Sequence, residues 1–75
     1  MYLIKSIMDK AKLEFTLNGR KHTFFRRFDL FNKPLTTTNI NNAKLIKESE
    51  LKNVIKLLTK TYGVNNIKDF NPIKE

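Results

Sequence analysis

The sequence predicts a small α+β domain in which a three-stranded antiparallel sheet carries two helices on one face. Three observations support this fold class. Apolar residues recur with a helical period near both ends of the chain, and they alternate with a period of two in between. An Asn-Gly pair at Asn18–Gly19, the strongest short hairpin signal, separates two of the alternating runs. We therefore expect the element order α-β-β-β-α.

Residues 2–11 predict the first helix. Their apolar residues fall on one stripe of a 3.6-residue period: Leu3, Ile4, Ile7, Met8 and Ala11. From Lys12 the period changes to two, and a half-buried strand carries its apolar residues at alternate positions: Leu13, Phe15 and Leu17. The Asn-Gly turn follows, and residues 21–28 are expected to return antiparallel to this strand.

Pro34 opens a third strand, which we expect at an edge of the sheet because proline is tolerated at a strand start. Residues 39–47 are polar and irregular. Ser49 is a credible N-cap for a second helix, and Gly63 is a natural residue to end it. The apolar stripe of this helix is regular: Leu51, Val54, Ile55, Leu58 and Tyr62. The element order is the layout of a double-stranded-RNA-binding-like fold.

We assign residues 1–63 to a single domain and residues 64–75 to a C-terminal extension or docked tail. Within this tail, Ile67 and Phe70 have the spacing of one helical turn. The length of 75 residues is near the lower limit for an independent hydrophobic core. The first ten residues are too short and too charged for a signal peptide or a spanning helix, so we expect a cytoplasmic protein with no membrane partner.

Composition narrows the classes of partner and cofactor. The chain has no cysteine and one histidine, so we expect no disulfide, no metal site and no cofactor. The net charge of +8 favours a polyanionic partner. Nucleic acid ranks first, then an acidic protein, then an anionic membrane surface. The alternative is a merely soluble protein whose many Lys, Asn and Ile residues reflect an AT-rich genome.

The stretch from Asn18 to Phe28 concentrates the candidate site residues, with four of the 15 cations, three of the six phenylalanines and the one histidine. His22 is the candidate general acid or base, because imidazole exchanges protons near neutral pH and RNA carries its own 2′-hydroxyl nucleophile. The alternative is a surface histidine without a role. Phe24 is either a base-stacking ring or part of the core.

Four cations bracket the histidine and are the candidate phosphate contacts: Arg20, Lys21, Arg26 and Arg27. Their alternative is an ordinary solvated edge. The hairpin register decides the face that His22 takes. A two-residue turn pairs Phe15 with His22 and buries the imidazole, whereas a three-residue turn pairs Phe15 with Thr23. We favour the second, which exposes His22 together with Arg20, Phe24 and Arg26.

Several segments resemble the HicA family of small toxins. Thr37-Thr38-Asn39 stands where that family has a Thr-Val-Pro-like segment, and residues 49–56 are similar in apolar spacing to its helix entry. Arg20-Lys21-His22 occupies the place of a Gly-Ser-His segment, followed by Phe24 and Phe25 where an aromatic residue is usual. The similarity spans roughly residues 3–58 of the chain.

The resemblance implies a metal-independent endoribonuclease toxin, an mRNA interferase, with His22 as its catalytic residue. It also implies an acidic antitoxin partner that binds the toxin and inhibits it. Two other hypotheses remain open. One is a non-catalytic nucleic-acid-binding module of a phage or mobile element, and the other is a protein that inhibits a partner by binding to it.

Overall fold

The computed structural model describes residues 10–74, which form one antiparallel sheet of five strands and one α-helix. The strands in chain order are β1 (Lys10–Leu17), β2 (Arg20–Phe28), β3 (Pro34–Thr37), β4 (Ile46–Lys47) and β5 (Ile67–Lys74). The helix, α1, spans Leu51–Tyr62, and short 3-10 helices cover Ile40–Asn42 and Glu48–Glu50. The predicted α+β class with an antiparallel sheet is confirmed.

Strand β1 is central, because it pairs with three other strands. Strand β5 runs along one edge, from Ala11 opposite Lys74 to Leu17 opposite Ile67. Two strands share the other edge of β1. Strand β2 pairs with the second half of β1, and β4 pairs with Lys10 and Ala11 at its start. Strand β3 pairs only with β2 among the described strands and lies at the edge, as predicted for a strand that starts at a proline. The sheet thus has two strands more than the three predicted.

The predicted N-terminal helix over residues 2–11 lies mostly outside the described residues. Its last two positions can be compared, and there the prediction is wrong. Lys10 and Ala11 begin β1, where Ala11 is 2% exposed and pairs with strands on both sides. Backbone hydrogen bonds to two neighbouring strands hold this segment extended, which the apolar stripe alone could not indicate.

The hydrophobic core lies between the sheet and α1. The sheet contributes Leu13, Phe15 and Phe25, and α1 presents its predicted stripe through Leu51, Val54 and Leu58. The helix ends as predicted at Gly63, whose φ of 95° lies in the left-handed region that favours glycine, and whose N–H donates to the Thr59 carbonyl at 2.9 Å.

The predicted N-cap is wrong. Ser49 lies inside the 3-10 helix Glu48–Glu50, and Glu50 occupies the cap position without a side-chain cap hydrogen bond. The Leu51 N–H instead donates to the Glu48 carbonyl. A 3-10 turn of this kind satisfies amide groups that a serine side chain would otherwise cap. Within residues 10–74, no helix is both long enough and apolar enough to cross a membrane.

The hydroxyl of Tyr62, in the last turn of α1, fastens the helix to the sheet. It donates a hydrogen bond to the carbonyl of Pro34 at 2.7 Å, across 28 residues of chain. Burial raises the pKa of Tyr62, and the nearby negative charge of Asp29 raises it further. The end of α1 therefore lies against the start of β3 and close to the β2–β3 loop.

The C-terminal segment is a strand, so the prediction of one helical turn at Ile67 and Phe70 is wrong. Ile67 is 3% exposed and belongs to the core, and the ring of Phe70 lies 5.7 Å from that of Phe15 between centroids. The open edge of β1 supplies hydrogen-bond partners for this segment. That long-range pairing overrides a spacing that also suits a helix.

We predict that β5 contributes to stability as a part of the folded domain. Replacing Ile67 with alanine should lower the free energy of unfolding by about 2–4 kcal/mol, because it leaves a cavity in the core. Val64→Ala is the matched control, since Val64 is 73% exposed and its loss should cost less than about 0.5 kcal/mol. Chemical denaturation measures both, and equally small effects would show that this segment does not pack on the domain.

Candidate functional site

Strand β2 departs twice from the alternation of buried and exposed residues. It runs from an exposed stretch at Arg20–His22, through buried Thr23, Phe24 and Phe25, to exposed Arg26 and Arg27. The register against β1 shifts between Thr23 and Arg20, and the register against β3 shifts between Phe25 and Arg27. A bulge of this kind adds one residue to a strand and kinks it. Each bulge brings consecutive polar side chains to the surface.

Because of the first bulge, the hairpin combines one pair from each of the two registers that the sequence allows. Leu17 pairs with Arg20, as the two-residue turn requires, whereas Phe15 pairs with Thr23, as the three-residue turn requires. Asn18 and Gly19 form the tight turn, with φ of 52° and 82°. The extra residue is inserted in the strand rather than in the turn. The predicted exposure of His22 is therefore confirmed, although the three-residue turn offered for it is wrong.

His22 itself is held in an unusual conformation. Its φ of 59° is in the left-handed region, where histidine is among the few enriched non-glycine residues, at a cost of about 1–2 kcal/mol. Its side chain is 79% exposed, and its Nδ1 lies 2.7 Å from Oε2 of Glu14, whose side chain is 20% exposed. The hydrogen bond at Nδ1 determines which nitrogen keeps the proton. A neutral His22 then has an unprotonated Nε2, which can act as a base.

A shallow groove of about 270 Å³ adjoins this pair. Its lining combines acidic, basic and hydroxyl side chains with one phenyl ring: Glu14, Phe15, Thr16, Lys21, His22 and Asp69. Asp69 has a φ of 59° at a bulge in β5, where the register against β1 shifts between Glu14 and Thr16. Bulges in β2 and β5 thus lie opposite overlapping parts of the central strand, Phe15–Leu17 and Glu14–Thr16. Bulges are over-represented beside active sites because they redirect side chains.

A second cleft, of about 510 Å³, lies near the hairpin turn, and we call it the threonine cleft after the four threonines in its lining. Arg20 lines it together with one apolar and several polar side chains: Leu17, Asn18, Thr23, Thr36, Thr37 and Thr38. These described lining residues include one guanidinium, four hydroxyl groups and no carboxylate. Guanidinium and hydroxyl donors are the groups that contact phosphate oxygens in nucleic-acid complexes. The cleft therefore suits an anion better than the His22 groove does.

The predicted site residues do not form one cluster. Arg20 lines the threonine cleft, Lys21 and His22 line the groove, and Arg26 and Arg27 are exposed at the second bulge. All four predicted phosphate contacts are exposed. Phe24 is different, because it is 5% exposed and pairs with Glu14 and Thr37 within the sheet. Of the two predicted roles for Phe24, the core position is therefore the one observed. A buried ring of this kind has no free face on which a base could stack.

Sequence reasoning missed the partners of the predicted residues. The alternation around Leu13 and Phe15 indicates only that Glu14 is a polar position of a strand, and Asp69 falls within the predicted tail of residues 64–75. Thr36, Thr37 and Thr38 follow Pro34 and Leu35 in the predicted third strand, and this run of hydroxyl residues beside a basic strand is a signal visible in the sequence. Within residues 10–74, no group of three or more His, Asp or Glu side chains is arranged to hold a metal ion.

No family model matches this chain, and neither a curated protein nor a solved structure matches it. The groove, the cleft and the charged surface are therefore the features of this chain that bear on its function.

We predict that Glu14 sets the tautomer of His22. In the wild-type protein, at a pH where the imidazole is neutral, the proton should reside on Nδ1, and Glu14→Ala should shift the population towards Nε2–H. The ¹⁵N chemical shifts of the ring measure this directly. Glu48→Ala is the control, because Glu48 pairs with Lys74 at 3.6 Å instead. Identical ring shifts in wild type and Glu14→Ala would contradict the pairing.

Proposed function

We propose that this protein binds RNA and cleaves it without a metal ion, with His22 as the general base. The observation that carries the proposal is the 2.7 Å contact between His22 Nδ1 and Glu14 Oε2, made by an imidazole that a bulge exposes. A carboxylate at Nδ1 holds the ring in one tautomer and stabilises the imidazolium that forms when Nε2 takes a proton. Such a pair is a general-base arrangement found on unrelated folds.

RNA requires little more for cleavage, because the nucleophile belongs to the substrate. Nε2 of His22 accepts the proton of a 2′-hydroxyl, and the 2′-oxygen attacks the adjacent phosphorus. The bond from phosphorus to the 5′-oxygen breaks, and the leaving oxygen takes a proton from the imidazolium or from water. The products are a 2′,3′-cyclic phosphate and a 5′-hydroxyl. Lys21, which lines the same groove, supplies positive charge for the phosphate oxygens.

Binding is the second part of the proposal. A net charge of +8 favours a polyanion, and the exposed cations of β2 extend along the strand on which His22 lies. The threonine cleft with Arg20 offers a site for a phosphate of the bound strand. Arg26 and Arg27 extend the positive surface towards the other end of β2.

The similarity to HicA toxins supports the same assignment. On this proposal the protein is a cytoplasmic toxin that an acidic antitoxin holds inactive. The double-stranded-RNA-binding-like arrangement then treats β4 and β5 as additions to the predicted three-stranded sheet. A neighbouring gene for a small acidic protein would support the toxin assignment.

One observation favours a second candidate, a nucleic-acid-binding module without catalysis. The cleft best suited to phosphate contains Arg20 but not His22, and two carboxylates, Glu14 and Asp69, line the groove beside the imidazole. Negative charge at that groove opposes the approach of a phosphate. The two candidates share RNA binding and differ in the effect of replacing His22.

We predict that His22→Gln removes cleavage while leaving RNA affinity nearly unchanged. General acid–base catalysis typically contributes about 10²–10⁴-fold in rate, and phosphate contacts dominate affinity. Gel analysis of a labelled RNA should show 2′,3′-cyclic phosphate ends from the wild type, also in the presence of a chelator. Lys56→Ala, on the exposed side of α1, is the control and should cleave normally. A folded His22→Gln protein that cleaves at the wild-type rate would leave only the binding module.

We predict a salt signature for the four exposed cations of β2. Neutralising Arg20, Lys21, Arg26 or Arg27 singly should reduce the slope of log affinity against log salt by about one. The reduction should be the same for RNAs of different sequence, because phosphate contacts carry no base information. Lys56→Ala removes the same charge elsewhere and should leave the slope unchanged. If all four variants match this control, the RNA site lies outside β2.

A further inference from the structure

The loop between β2 and β3 presents two large apolar side chains to solvent. Leu30 is 97% exposed and Phe31 is 89% exposed. A domain of 75 residues needs its large apolar groups for the core, so two adjacent ones at a loop tip are a cost to stability that the fold does not explain. An adjacent exposed pair of this kind indicates an interaction surface.

The loop backbone is ordered by one carboxylate. Oδ1 of Asp29 accepts hydrogen bonds from the N–H groups of Phe31 and Lys33, both at 2.8 Å. The Asp29 N–H donates to the Lys33 carbonyl at 2.9 Å, and the Asn32 N–H donates to the Asp29 carbonyl at 3.0 Å. The Lys33 amide is the largest of the interactions that lower the pKa of Asp29. The tip is therefore preorganised, and the Asp29 charge is directed at the loop's own amides.

Cations flank the apolar tip on both sides. Arg26 and Arg27 precede it at the bulge of β2, Lys33 follows it, and all three are exposed. A partner complementary to this loop must present negative charge and apolar surface within a few side-chain lengths of each other. Single-stranded nucleic acid has this combination, because each nucleotide joins a phosphate to a flat base. A base paired in a duplex has no free face to offer.

We propose that this loop is a stacking element for single-stranded RNA. The ring of Phe31 stacks on an unpaired base, Leu30 packs beside it, and Arg27 and Lys33 contact the flanking phosphates. The inference rests on the proposed function, since it takes RNA as the partner, and it adds the substrate class. It also assigns to Phe31 the stacking role that buried Phe24 has no exposed face to perform.

The loop lies at the opposite end of β2 from His22. Phe28 lies six positions after His22, which corresponds to at most roughly 20 Å at about 3.3 Å per residue. A base held at the tip is therefore several nucleotides from a bond cut at His22. Binding at the tip can consequently be tested without any reference to cleavage.

The test measures binding to an RNA with 2′-O-methyl groups, which lacks the nucleophile for cleavage. Fluorescence anisotropy compares this strand with the same sequence as a duplex. Phe31→Ala should weaken binding of the single strand by about 5- to 150-fold, the range typical of one base–aromatic stack. Phe31→Trp should retain affinity, because tryptophan keeps an aromatic face. Val64→Ala removes exposed apolar surface outside the loop and should have no effect.

Asp29→Ala tests whether binding depends on the ordered loop backbone or on the charge of the loop. The substitution removes a negative charge, which by itself strengthens binding to a polyanion. If the hydrogen bonds of Asp29 preorganise the tip, the variant should nevertheless bind the single strand more weakly than the wild type. Circular dichroism checks that each variant keeps the fold.

The outcomes distinguish this inference from the proposed function. Wild-type binding of the single strand that is unchanged in Phe31→Ala overturns the inference and leaves the proposed function standing. No RNA binding by the wild type at low salt overturns both. An equal loss for single strand and duplex also overturns the inference, because the loop then binds without needing an unpaired base. Phe31-dependent binding to vesicles of anionic phospholipid, or a Phe31-dependent dimer in sedimentation, without an effect on RNA, assigns the tip to another partner.

Discussion

The pairing of β1 on both of its edges is the constraint on which the rest of the structure depends. Leu13 and Phe15 are 0% and 1% exposed, so the register of this strand determines the content of the core. Strand β5 takes one edge, and β2 and β4 divide the other. Because side chains alternate along a strand, any slip of β1 by one residue would expose its phenylalanine and bury Glu14. The core and the candidate site are therefore set by the same register.

The bulges reconcile that register with an exposed site. A regular continuation of the Asn18–Gly19 hairpin would bring His22 opposite Phe15 and into the core. One extra residue in β2 brings Thr23 there instead and leaves the imidazole beside Glu14. The left-handed conformation of His22 is the energetic cost of this insertion. Strain of this kind persists only where surrounding pairing holds it, and here both sides of the bulge are paired.

The charged surface is distributed rather than concentrated. Arg20 lines the threonine cleft, and Lys21 lines the His22 groove. Arg26 and Arg27 lie at the bulge of β2 that precedes the β2–β3 loop. An extended partner that follows β2 would meet all three places, whereas a small anion would meet one. A single strand of nucleic acid is extended, anionic and able to offer unpaired bases, so on the proposed function it is the partner that would contact all three places.

The sequence by itself determined the features that depend on local backbone preference. The turn at Asn18–Gly19, the edge strand that starts at Pro34, and the helix that ends before Gly63 all follow from the conformations that these residues favour. Exposure of His22 was also predicted, but from a three-residue turn that does not form.

Tertiary structure alone decided the strands β4 and β5, the burial of Phe24 and the contact between His22 and Glu14. Each depends on which strand lies alongside, and that choice is made by residues far apart in the chain. Ile67–Lys74 becomes a strand because β1 has an open edge, and Glu14 becomes a partner of His22 because a bulge shifts the register by one residue. Alternation of apolar and polar residues indicates which residues share a face of the sheet. It does not indicate where an extra residue is inserted in a strand.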